Sequence, residues 1–572
     1  MTQAHRRAVR WVVPGYALIL ALTVTAPLLA PGYLLLRDAV STPRSFFSDA
    51  ALGLTEAAPR AVPQDFLIAA LTTAVDGGLV VKVLLIGGLF LAGWGAARLA
   101  AGVVPDAGVA GQLVATTLAV WNPYVAERLL QGHWSLLVGY GALPWTAAAV
   151  VRLRTGDTGS WSAVVFWIAL AGLTPTGLLL AAAVAVVCVA VPGPGVPRVR
   201  CSAGIVATSA LAATPWLAAS ALGGALGTST PSGLVAFAAR AERGLGTLGS
   251  LAGLGGIWNA EAVPSSRTTL LALVATAVLL AVVAIGLPTA IRRPAAVPLL
   301  VLAAVSIVLP AAMATEPGLA ALRAIVDAAP GLGVLRDGQK WVALAMPGYA
   351  VAAAAAVVTA RGRVRPALVA LACVTALIAV LPDLAWGVWN KVTPVRYPPG
   401  WVAVAEAIDA DPGPVAVLPA DSMRRFEWAG PAPVLDPLPR WVRAEVLTTG
   451  DLTISGQTVP GEGGRAREVQ RLLVAGAPPE ELAGAGVRWV VVEGGSAGAM
   501  GDAQAGLQRL PVTYHDADLT LYRVGGSGPA AAQGKRIVMV VAHAVWVALL
   551  AVSAAALAVG VWRRRRDLPT GT

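Results

Sequence analysis

The chain has little charge, little cysteine and none of the short motifs that mark nucleotide-dependent or zinc enzymes. Charged residues make up 13% of its 572 positions, against about 25% in ordinary soluble domains. Its three cysteines lie within or beside apolar segments without metal-site spacing, so we expect buried thiols. No Walker A, GxSxG, HExxH or CxxC pattern occurs in a fitting context. These absences argue against a nucleotide-driven pump and against a nucleotide-sugar donor.

Lysine is scarce as well, because only four of the 42 basic residues are lysines. The formal net charge of +11 raises the question of a nucleic-acid partner. Most of the excess charge lies in short arginine clusters beside apolar segments, as the positive-inside rule expects of membrane proteins. We therefore predict no nucleic-acid partner. The richness in alanine, glycine, proline and valine is typical of a GC-rich genome, such as that of an actinobacterium.

Long apolar runs are what the chain does have: 57% of its residues are hydrophobic and its mean hydropathy is +0.71. A transmembrane helix needs about twenty apolar residues. The sequence predicts an α-helical polytopic membrane protein with about twelve spans, at 11–31, 78–100, 109–126, 133–151, 161–173, 175–192, 201–221, 267–289, 295–313, 341–360, 364–382 and 537–562. Residues 161–192 form two spans, a re-entrant pair or one kinked helix. The first run is long for a signal peptide, so we interpret it as an uncleaved span.

The arginine clusters predict the orientation. With twelve spans all of them fall on one side, which is therefore predicted to be cytoplasmic together with both termini. Residues 1–382 are predicted to form a transmembrane domain with an acidic first outer loop at 32–77, residues 383–536 an extracytoplasmic α/β domain, and residues 537–572 a last helix with a basic tail. Within 383–536, helical periodicity occurs at 400–410 and 464–476, and strand patterns occur at 413–419, 486–494 and 519–525.

The first outer loop carries four acids beside the first span. They are Asp38, Asp49, Glu56 and Asp65. A carboxylate there suits a general base that takes a proton from an acceptor hydroxyl, or a ligand that holds a divalent cation against a phosphate. The alternative is an ordinary solvated loop, in which Asp49, Glu56 and Asp65 shape the loop or pair with Arg44 and Arg60. Asp38 stands out, because the end of the first span fixes its depth at the level of a lipid phosphate.

Two further stretches place polar residues at the outer ends of spans. The first, "WNPYVAERLLQGHWSLLVGYGALPW", carries Asn122, Glu127, Arg128, Gln131 and His133. An interfacial aromatic belt accounts for part of it without any function. The second, "LGVLRDGQKWVALAMPG", carries Arg336, Asp337, Gln339 and Lys340, with cations on the side that the positive-inside rule disfavours. Such cations suit a lipid phosphate, and simple anchoring is the alternative.

Together with "LRDAVSTPRSFF" and "ALGLTEAAPRAVPQDF", these two stretches resemble the GT-C superfamily of membrane glycosyltransferases, in particular the actinobacterial members that use polyprenyl-phosphate sugars. The resemblance implies transfer of a sugar to a cell-envelope glycan or glycolipid on the outer face. It implies an acidic residue of the first outer loop as catalytic base, best matched by Asp38 and next by Asp49. The chain lacks the paired acidic dipeptide of many members and the WWD motif of oligosaccharyltransferases.

On this interpretation Arg336, Lys340 and Arg37 bind the donor phosphate. Asn122, Glu127, Arg128 and His133 line the acceptor side or the pocket. The expected partners are the polyprenyl-phosphate sugar, the glycan or glycolipid acceptor and membrane lipids. No cofactor is certain, and a divalent cation stays open.

Two rival interpretations remain open. A lipid or glycan transporter or flippase needs ionisable groups at mid-membrane, whereas the predicted spans are nearly free of them; Lys82 lies close enough to the end of its span to snorkel. A noncatalytic subunit of an envelope-assembly complex differs from an enzyme only in an activity assay.

Overall fold

A computed structural model describes residues 3–223, 232–454 and 457–566. Residues 224–231 of the predicted loop 222–266, residues 455–456 of the predicted α/β domain and residues 567–572 of the predicted tail lie outside these ranges. Six segments of the described chain are long and apolar enough to cross a membrane: Trp11–Leu29, Gly77–Val103, Trp134–Thr155, Leu271–Ala290, Gly338–Ala360 and Gln533–Arg563. The prediction of a helical polytopic membrane protein is confirmed.

Other predicted spans are bent or short. Three helix pairs reach span length only across a bend: Arg198–Ala212 with Thr214–Gly223 at 52°, Val297–Met313 with Glu316–Ala328 at 95°, and Pro366–Ala379 with Pro382–Asn390 at 73°. The segments Thr158–Ala171 and Pro175–Cys188 are shorter apolar helices. The described residues therefore hold six to nine candidate spans by length and composition, and the count of twelve stays a prediction.

The predicted continuous span 109–126 is wrong. The first helix of this segment, Gly108–Val120, ends at Val120, and a second helix, Pro123–Leu130, begins after Asn122. Proline has no N–H to donate and clashes with the preceding turn, so it fits the first position of a new helix better than the interior of an old one. The side chain of Asn122 caps the new helix by accepting from the Val125 N–H at 3.1 Å. This break directs Glu127 and Arg128 into the protein.

The helices Gly77–Val103 and Trp134–Thr155 pack closely through glycines. A Cβ atom added to Gly88 would lie 2.9 Å from the Cα of Val138, and one added to Gly141 would meet the backbone of Gly88. Small residues of this kind let membrane helices approach each other without a hydrophobic driving force. The packing fixes the start of the second helix, where His133 lies.

Eleven short strands occur in the described residues. They are β1 (Tyr33–Leu36), β2 (Ala39–Val40), β3 (Pro394–Val395), β4 (Val415–Leu418), β5 (Met423–Arg424), β6 (Val434–Leu435), β7 (Leu452–Ile454), β8 (Gln457–Val459), β9 (Trp489–Glu493), β10 (Val512–His515) and β11 (Leu519–Arg523). The largest sheet has the order β10-β11-β9-β4, with β4 and β9 parallel and the other pairs antiparallel. The predicted strands at 413–419, 486–494 and 519–525 are therefore confirmed.

Both faces of this sheet are covered. Val415 and Val417 pack in one apolar cluster with the helix Gly400–Ala410, and Ala416 and Leu418 pack in another with the helix Gly464–Val474. Alternate strand residues point to opposite faces, which explains why all four are buried. The two predicted helices are confirmed as well. We call residues 394–525 the α/β region.

The hairpin that follows the first span joins the α/β region. Strand β1 pairs with β2 and, on its other side, with β3. Leu35 and Val40 are buried in the same apolar cluster as Trp401. The predicted loop 32–77 therefore begins as a hairpin attached to the C-terminal part of the chain.

The remaining elements are short or connect those above. The other α-helices are Gln3–Thr25, Asp49–Leu52, Gln64–Leu71, Trp161–Ala171, Ser232–Ala236, Gly246–Ala252, Ala345–Ala360, Ala385–Asn390, Leu438–Trp441, Pro479–Gly484, Ala503–Leu507 and Gln533–Arg566. The 3₁₀ turns are Ala26–Leu29, Pro105–Ala107, Thr158–Ser160, Ala260–Ala262, Ser265–Thr268, Pro330–Arg336, Gly338–Leu344, Pro382–Leu384 and Glu427–Ala429.

Candidate active site

Asp38 lies in the two-residue turn of the β1–β2 hairpin. Leu36 pairs with Ala39 across the hairpin, so Arg37 and Asp38 form its tip. The Arg37 N–H donates to Pro433 O at 2.9 Å, and the Asp38 N–H donates to Gln131 O at 3.2 Å. The tip is thus held from the α/β region on one side and from the end of the helix Pro123–Leu130 on the other.

The two oxygens of the Asp38 carboxylate differ in their surroundings. Oδ2 accepts from His133 Nε2 at 2.9 Å and from Gln131 Nε2 at 3.0 Å. Oδ1 has no hydrogen-bond partner among the described residues, and the side chain is 35% exposed. One oxygen is therefore saturated by protein donors and the other is available to a ligand.

The environment keeps Asp38 ionised. Burial alone would raise the pKa of the carboxyl group, because it disfavours the charged form. The hydrogen bonds from His133 and Gln131 and the positive charge of Lys340 outweigh burial and hold the pKa of Asp38 below its usual range. At neutral pH the group is a carboxylate that can accept a proton.

Behind His133 lies a buried guanidinium. Arg128 Nη1 is 3.0 Å from His133 Nδ1, and the two terminal nitrogens of Arg128 contact Asp337 at 2.9 and 3.0 Å. Arg128 also donates to Gln339 Oε1. A fork-to-fork contact between arginine and carboxylate fixes both side chains in one geometry. The arrangement anchors His133 to the segment that precedes the helix Ala345–Ala360.

Lys340 adds a cation at the same place. Its Nζ lies 3.6 Å from Asp337 Oδ2, and its side chain is 26% exposed. In the part of the chain that the structure describes, none of its ammonium hydrogens is used in a hydrogen bond to another side chain or carbonyl. The side chains of Asp38 and Lys340 are thus both partly exposed, and the positive charge of Lys340 acts on the carboxylate of Asp38.

Glu127 supports this cluster from inside. Its carboxylate is fully buried and accepts from the N–H groups of Gly256 and Ile257 at 3.2 and 3.1 Å. It also accepts from Gln339 Nε2 at 3.0 Å. Every partner is a protein group, so the structure places Glu127 as a link between the glycine-rich segment and Gln339. Asn122 is likewise buried, with its amide bonded to Leu118 O, Ala119 O and Tyr140 Oη.

The other two predicted phosphate ligands, Arg37 and Arg336, have surroundings that differ from those of Lys340. The Arg37 guanidinium is buried and donates to Leu130 O at 2.6 Å and Glu261 O at 2.9 Å. Arg336 lies over the ring of Phe237 at 4.4 Å. No hydrogen bond or ion pair of Arg336 occurs within the described residues. Burial and the nearby charge of Arg60 lower the pKa of Arg336 to about 10.

The remaining acids of the first loop bind distant arginines. Asp49 receives both Nε and Nη2 of Arg536, at 2.7 and 2.8 Å. Asp65 contacts Arg440 Nε at 3.2 Å, and Glu56 accepts from the Arg465 N–H at 2.9 Å. Of the two roles expected for these acids, shaping the loop or pairing with Arg44 and Arg60, the pairing is wrong among the described residues. Folding of the loop against the α/β region and the last helix brings other arginines closer.

Sequence reasoning gave no site role to Gln131, Asp337, Gln339 or Asn259. The first three lie in the two quoted polar stretches, so their spacing was a usable signal. Asn259 donates to Gln131 Oε1 at 2.8 Å, and nothing in the sequence around it indicates this contact. Among the described residues no group of three or more His, Cys, Asp or Glu side chains has a geometry that could hold a metal ion.

Comparison with known proteins yields structural neighbours only. No protein-family profile and no curated protein sequence matches the chain. A cryo-EM structure of the arabinofuranosyltransferase AftD from Mycobacteria covers 92% of this chain with a TM-score of 0.55 and 16% identity. The fold is GT-C-like. A mutant of AftD, in two classes, covers 91% of the chain with TM-scores of 0.55 and 0.51 and identities of 18% and 17%.

The GT-C-like fold supports the family resemblance at the level of architecture. At 16–18% identity the likeness extends to the fold alone. This chain spans 40–42% of the length of its AftD neighbours, so the activity of the longer protein does not transfer with the fold.

Proposed function

We propose that the chain is a membrane glycosyltransferase that moves a sugar from a polyprenyl-phosphate donor to a cell-envelope glycan or glycolipid. The observation that carries the proposal is the partly exposed carboxylate of Asp38, whose Oδ1 has no hydrogen-bond partner among the described residues, together with the partly exposed ammonium group of Lys340, whose charge acts on it. A base and a phosphate-binding cation are the two groups that this reaction needs most.

The chemistry uses these groups as follows. The acceptor hydroxyl gives its proton to Asp38 Oδ1 while its oxygen forms a bond to the anomeric carbon of the sugar. The bond between that carbon and the phosphate oxygen breaks, and its electron pair leaves with the prenyl phosphate. Lys340 binds the phosphate and offsets the negative charge that develops on it. The AftD neighbours make an arabinofuranosyl unit the first sugar to test.

The rival interpretations have less support. A transporter needs ionisable groups along its path, whereas Lys82 lies near the start of its helix and donates to Ala30 O at 2.7 Å. A noncatalytic subunit differs from an enzyme only in an activity assay. The assay below separates both from an enzyme.

The decisive experiment measures the rate of sugar transfer from a synthetic, radiolabelled arabinofuranose donor that carries a short prenyl phosphate. The assay uses membranes in which each variant is expressed at the same level. Asp38→Asn keeps the size of the side chain and removes the base, so transfer should fall by roughly 10²–10⁴ while donor binding survives. Asp49→Asn and Asp65→Asn are the matched controls, because their partners are Arg536 and Arg440, and both should stay near normal. Near-normal turnover in Asp38→Asn would remove Asp38 as base; a dead Asp49→Asn would reassign the role.

We also infer that the site and the α/β region lie on the outer face and that both termini are cytoplasmic, because the arginine clusters predict it. The three native cysteines are buried, so labelling by a thiol reagent should come from a single introduced cysteine. Gln508→Cys, at an exposed position of the α/β region, should react with an impermeant maleimide in intact cells. Gly362→Cys, exposed between two helices, should react only after lysis. The reverse pattern would overturn the orientation.

A further inference from the structure

Two chains of hydrogen bonds end on the same oxygen of Asp38. One runs from Arg128 Nη1 to His133 Nδ1, and from His133 Nε2 to Asp38 Oδ2. The other runs from the Glu261 N–H to Asn259 Oδ1, from Asn259 Nδ2 to Gln131 Oε1, and from Gln131 Nε2 to Asp38 Oδ2. Each chain starts at a group whose hydrogen-bonding role has no ambiguity.

The first chain fixes the tautomer of His133. A guanidinium carries only donors, so the nitrogen that faces Arg128 must accept. Nδ1 of His133 therefore carries no proton, and the single proton of the neutral imidazole lies on Nε2, where it is donated to Asp38. Burial lowers the pKa of His133, and the hydrogen bond with Asp38 does not offset it.

The second chain fixes the orientation of two amides. A backbone N–H only donates, so Asn259 presents its oxygen to Glu261 and its NH₂ group to Gln131. Gln131 then accepts with Oε1 and donates with Nε2. Both chains therefore deliver a donor to Oδ2, at 2.9 and 3.0 Å, and leave Oδ1 free.

We propose that His133 and Gln131 are positioning residues that saturate Oδ2 of Asp38 and so reserve Oδ1 as the one atom that accepts the substrate proton. The catalytic part of this inference rests on the proposed function. On this proposal His133 orients Asp38, whereas the sequence analysis expected His133 to line the acceptor side or the pocket. The charged groups that act on His133 are Asp38 from the hairpin, Arg128 from the helix Pro123–Leu130, and Asp337 and Lys340 from the adjoining turns.

A relay through His133 is disfavoured by the same geometry. To take a second proton, His133 would have to give up the bond from Arg128 and become a cation beside Arg128 and Lys340. The proton from the acceptor therefore stays on Asp38 Oδ1 until the product leaves. This distinguishes the site from a carboxylate–histidine pair in which the imidazole is the base.

The test of the tautomer does not depend on turnover. The chain has four histidines, so ¹⁵N-histidine labelling of the full chain in lipid nanodiscs gives few imidazole signals. The two ring-nitrogen signals of His133 are assigned because they disappear from the spectrum of His133→Gln. We expect a neutral ring with the proton on Nε2 at pH 7, and protonation of the ring only at a lower pH than that of a free imidazole. An imidazolium at pH 7, or a proton on Nδ1, would overturn the inference.

The second arm uses the same synthetic donor and compares pH profiles. His133→Gln keeps an N–H that can reach Oδ2, and the acid limb of kcat/KM should stay near that of the wild type. His133→Leu removes the donor, so kcat/KM should fall by about tenfold or more and the acid limb should move to higher pH. His515→Leu, at an exposed position, is the control. An unmoved acid limb in folded His133→Leu would contradict a positioning role, whereas a wild type without any transfer would contradict the proposed function alone.

Discussion

Arg128 and Asp337 meet fork to fork, with Nη1 and Nη2 of the guanidinium at 2.9 and 3.0 Å from the two carboxylate oxygens. The residues are 209 positions apart, and the Arg128 side chain is fully buried. Burial opposes ionisation of Asp337, but the charges of Arg128 and Lys340 hold its pKa well below its usual range. This contact joins the elements that carry His133 and Lys340, so the candidate site depends on it.

Loss of the bidentate ion pair between Arg128 and Asp337 should destabilise the protein. Asp337→Asn leaves the guanidinium of Arg128 with neutral partners only, and removal of one member of a buried pair typically costs about 3–5 kcal/mol. The expected result is a clearly lower thermal unfolding midpoint for the full chain in detergent. Asp327→Asn is the matched control, since Asp327 is exposed on the preceding helix and should leave the midpoint unchanged. Equal midpoints for the two variants would show that the fork adds nothing to stability.

The two cations expected at the donor phosphate should contribute unequally. Lys340 acts on Asp38, whereas Arg336 lies over Phe237. Lys340→Gln should therefore weaken binding of the prenyl-phosphate sugar by about tenfold or more, Arg336→Gln should weaken it less, and the double variant should weaken it most. Binding is measured by displacement of the radiolabelled donor from purified protein.

Lys391→Gln controls for the loss of a surface lysine, because Lys391 is exposed and bonded to Ser265. Unchanged donor affinity in both single variants and in the double variant would assign Arg336 and Lys340 to anchoring.

Local patterns predicted local structure well. The apolar strands around Val415, Val490 and Leu521 followed from runs of one residue class. The break after Val120 was missed because an apolar run hid the Asn-Pro pair that begins the next helix. The polar stretches of the sequence contain most residues of the candidate cluster, whereas its internal contacts did not follow from them.

Contacts between distant segments could not be predicted in the same way. Asp49 and Arg536 are 487 positions apart, and no periodicity links them. Asn259 reaches Asp38 only through Gln131. Such contacts depend on how the hairpin, the helices and the α/β region pack, which a single sequence does not record in its local composition.

A second buried cluster lies behind the hairpin tip. Arg424 donates Nε to Glu493 and lies 3.9 Å from Asp436 Oδ2, and all three side chains are buried. Asp436 Oδ2 and Glu493 Oε1 have no hydrogen-bond partner among the described residues. Burial raises the pKa of both acids, and for Glu493 the neighbouring Asp436 adds to it. One cation thus faces two carboxyl groups, and a proton held between them satisfies both free oxygens.

This cluster is linked to Asp38 by the backbone of β6. Strand β6 follows Pro433, whose carbonyl accepts from the Arg37 N–H, and the Leu435 N–H donates to Arg37 O at 2.9 Å. Asp436 comes directly after that strand. The acid pair therefore adjoins the strand that contacts the hairpin tip at Arg37.

The raised pKa values predict how stability depends on pH. The folded state keeps a proton that the unfolded chain releases. The contribution of this proton to the free energy of unfolding is fully present below the pKa values that the two acids have in the unfolded chain. It is lost as the pH rises through their pKa values in the folded protein. Asp436→Asn replaces the protonated acid by a neutral amide, which can still accept from Leu438 N–H and can donate to Glu493. Between pH 5 and pH 9 the unfolding midpoint of this variant should fall less than that of the wild type, with the largest gain at the alkaline end. Asp502→Asn, at an exposed position, should follow the wild type. Parallel curves for Asp436→Asn and the wild type would show that the pair holds no extra proton in the folded protein.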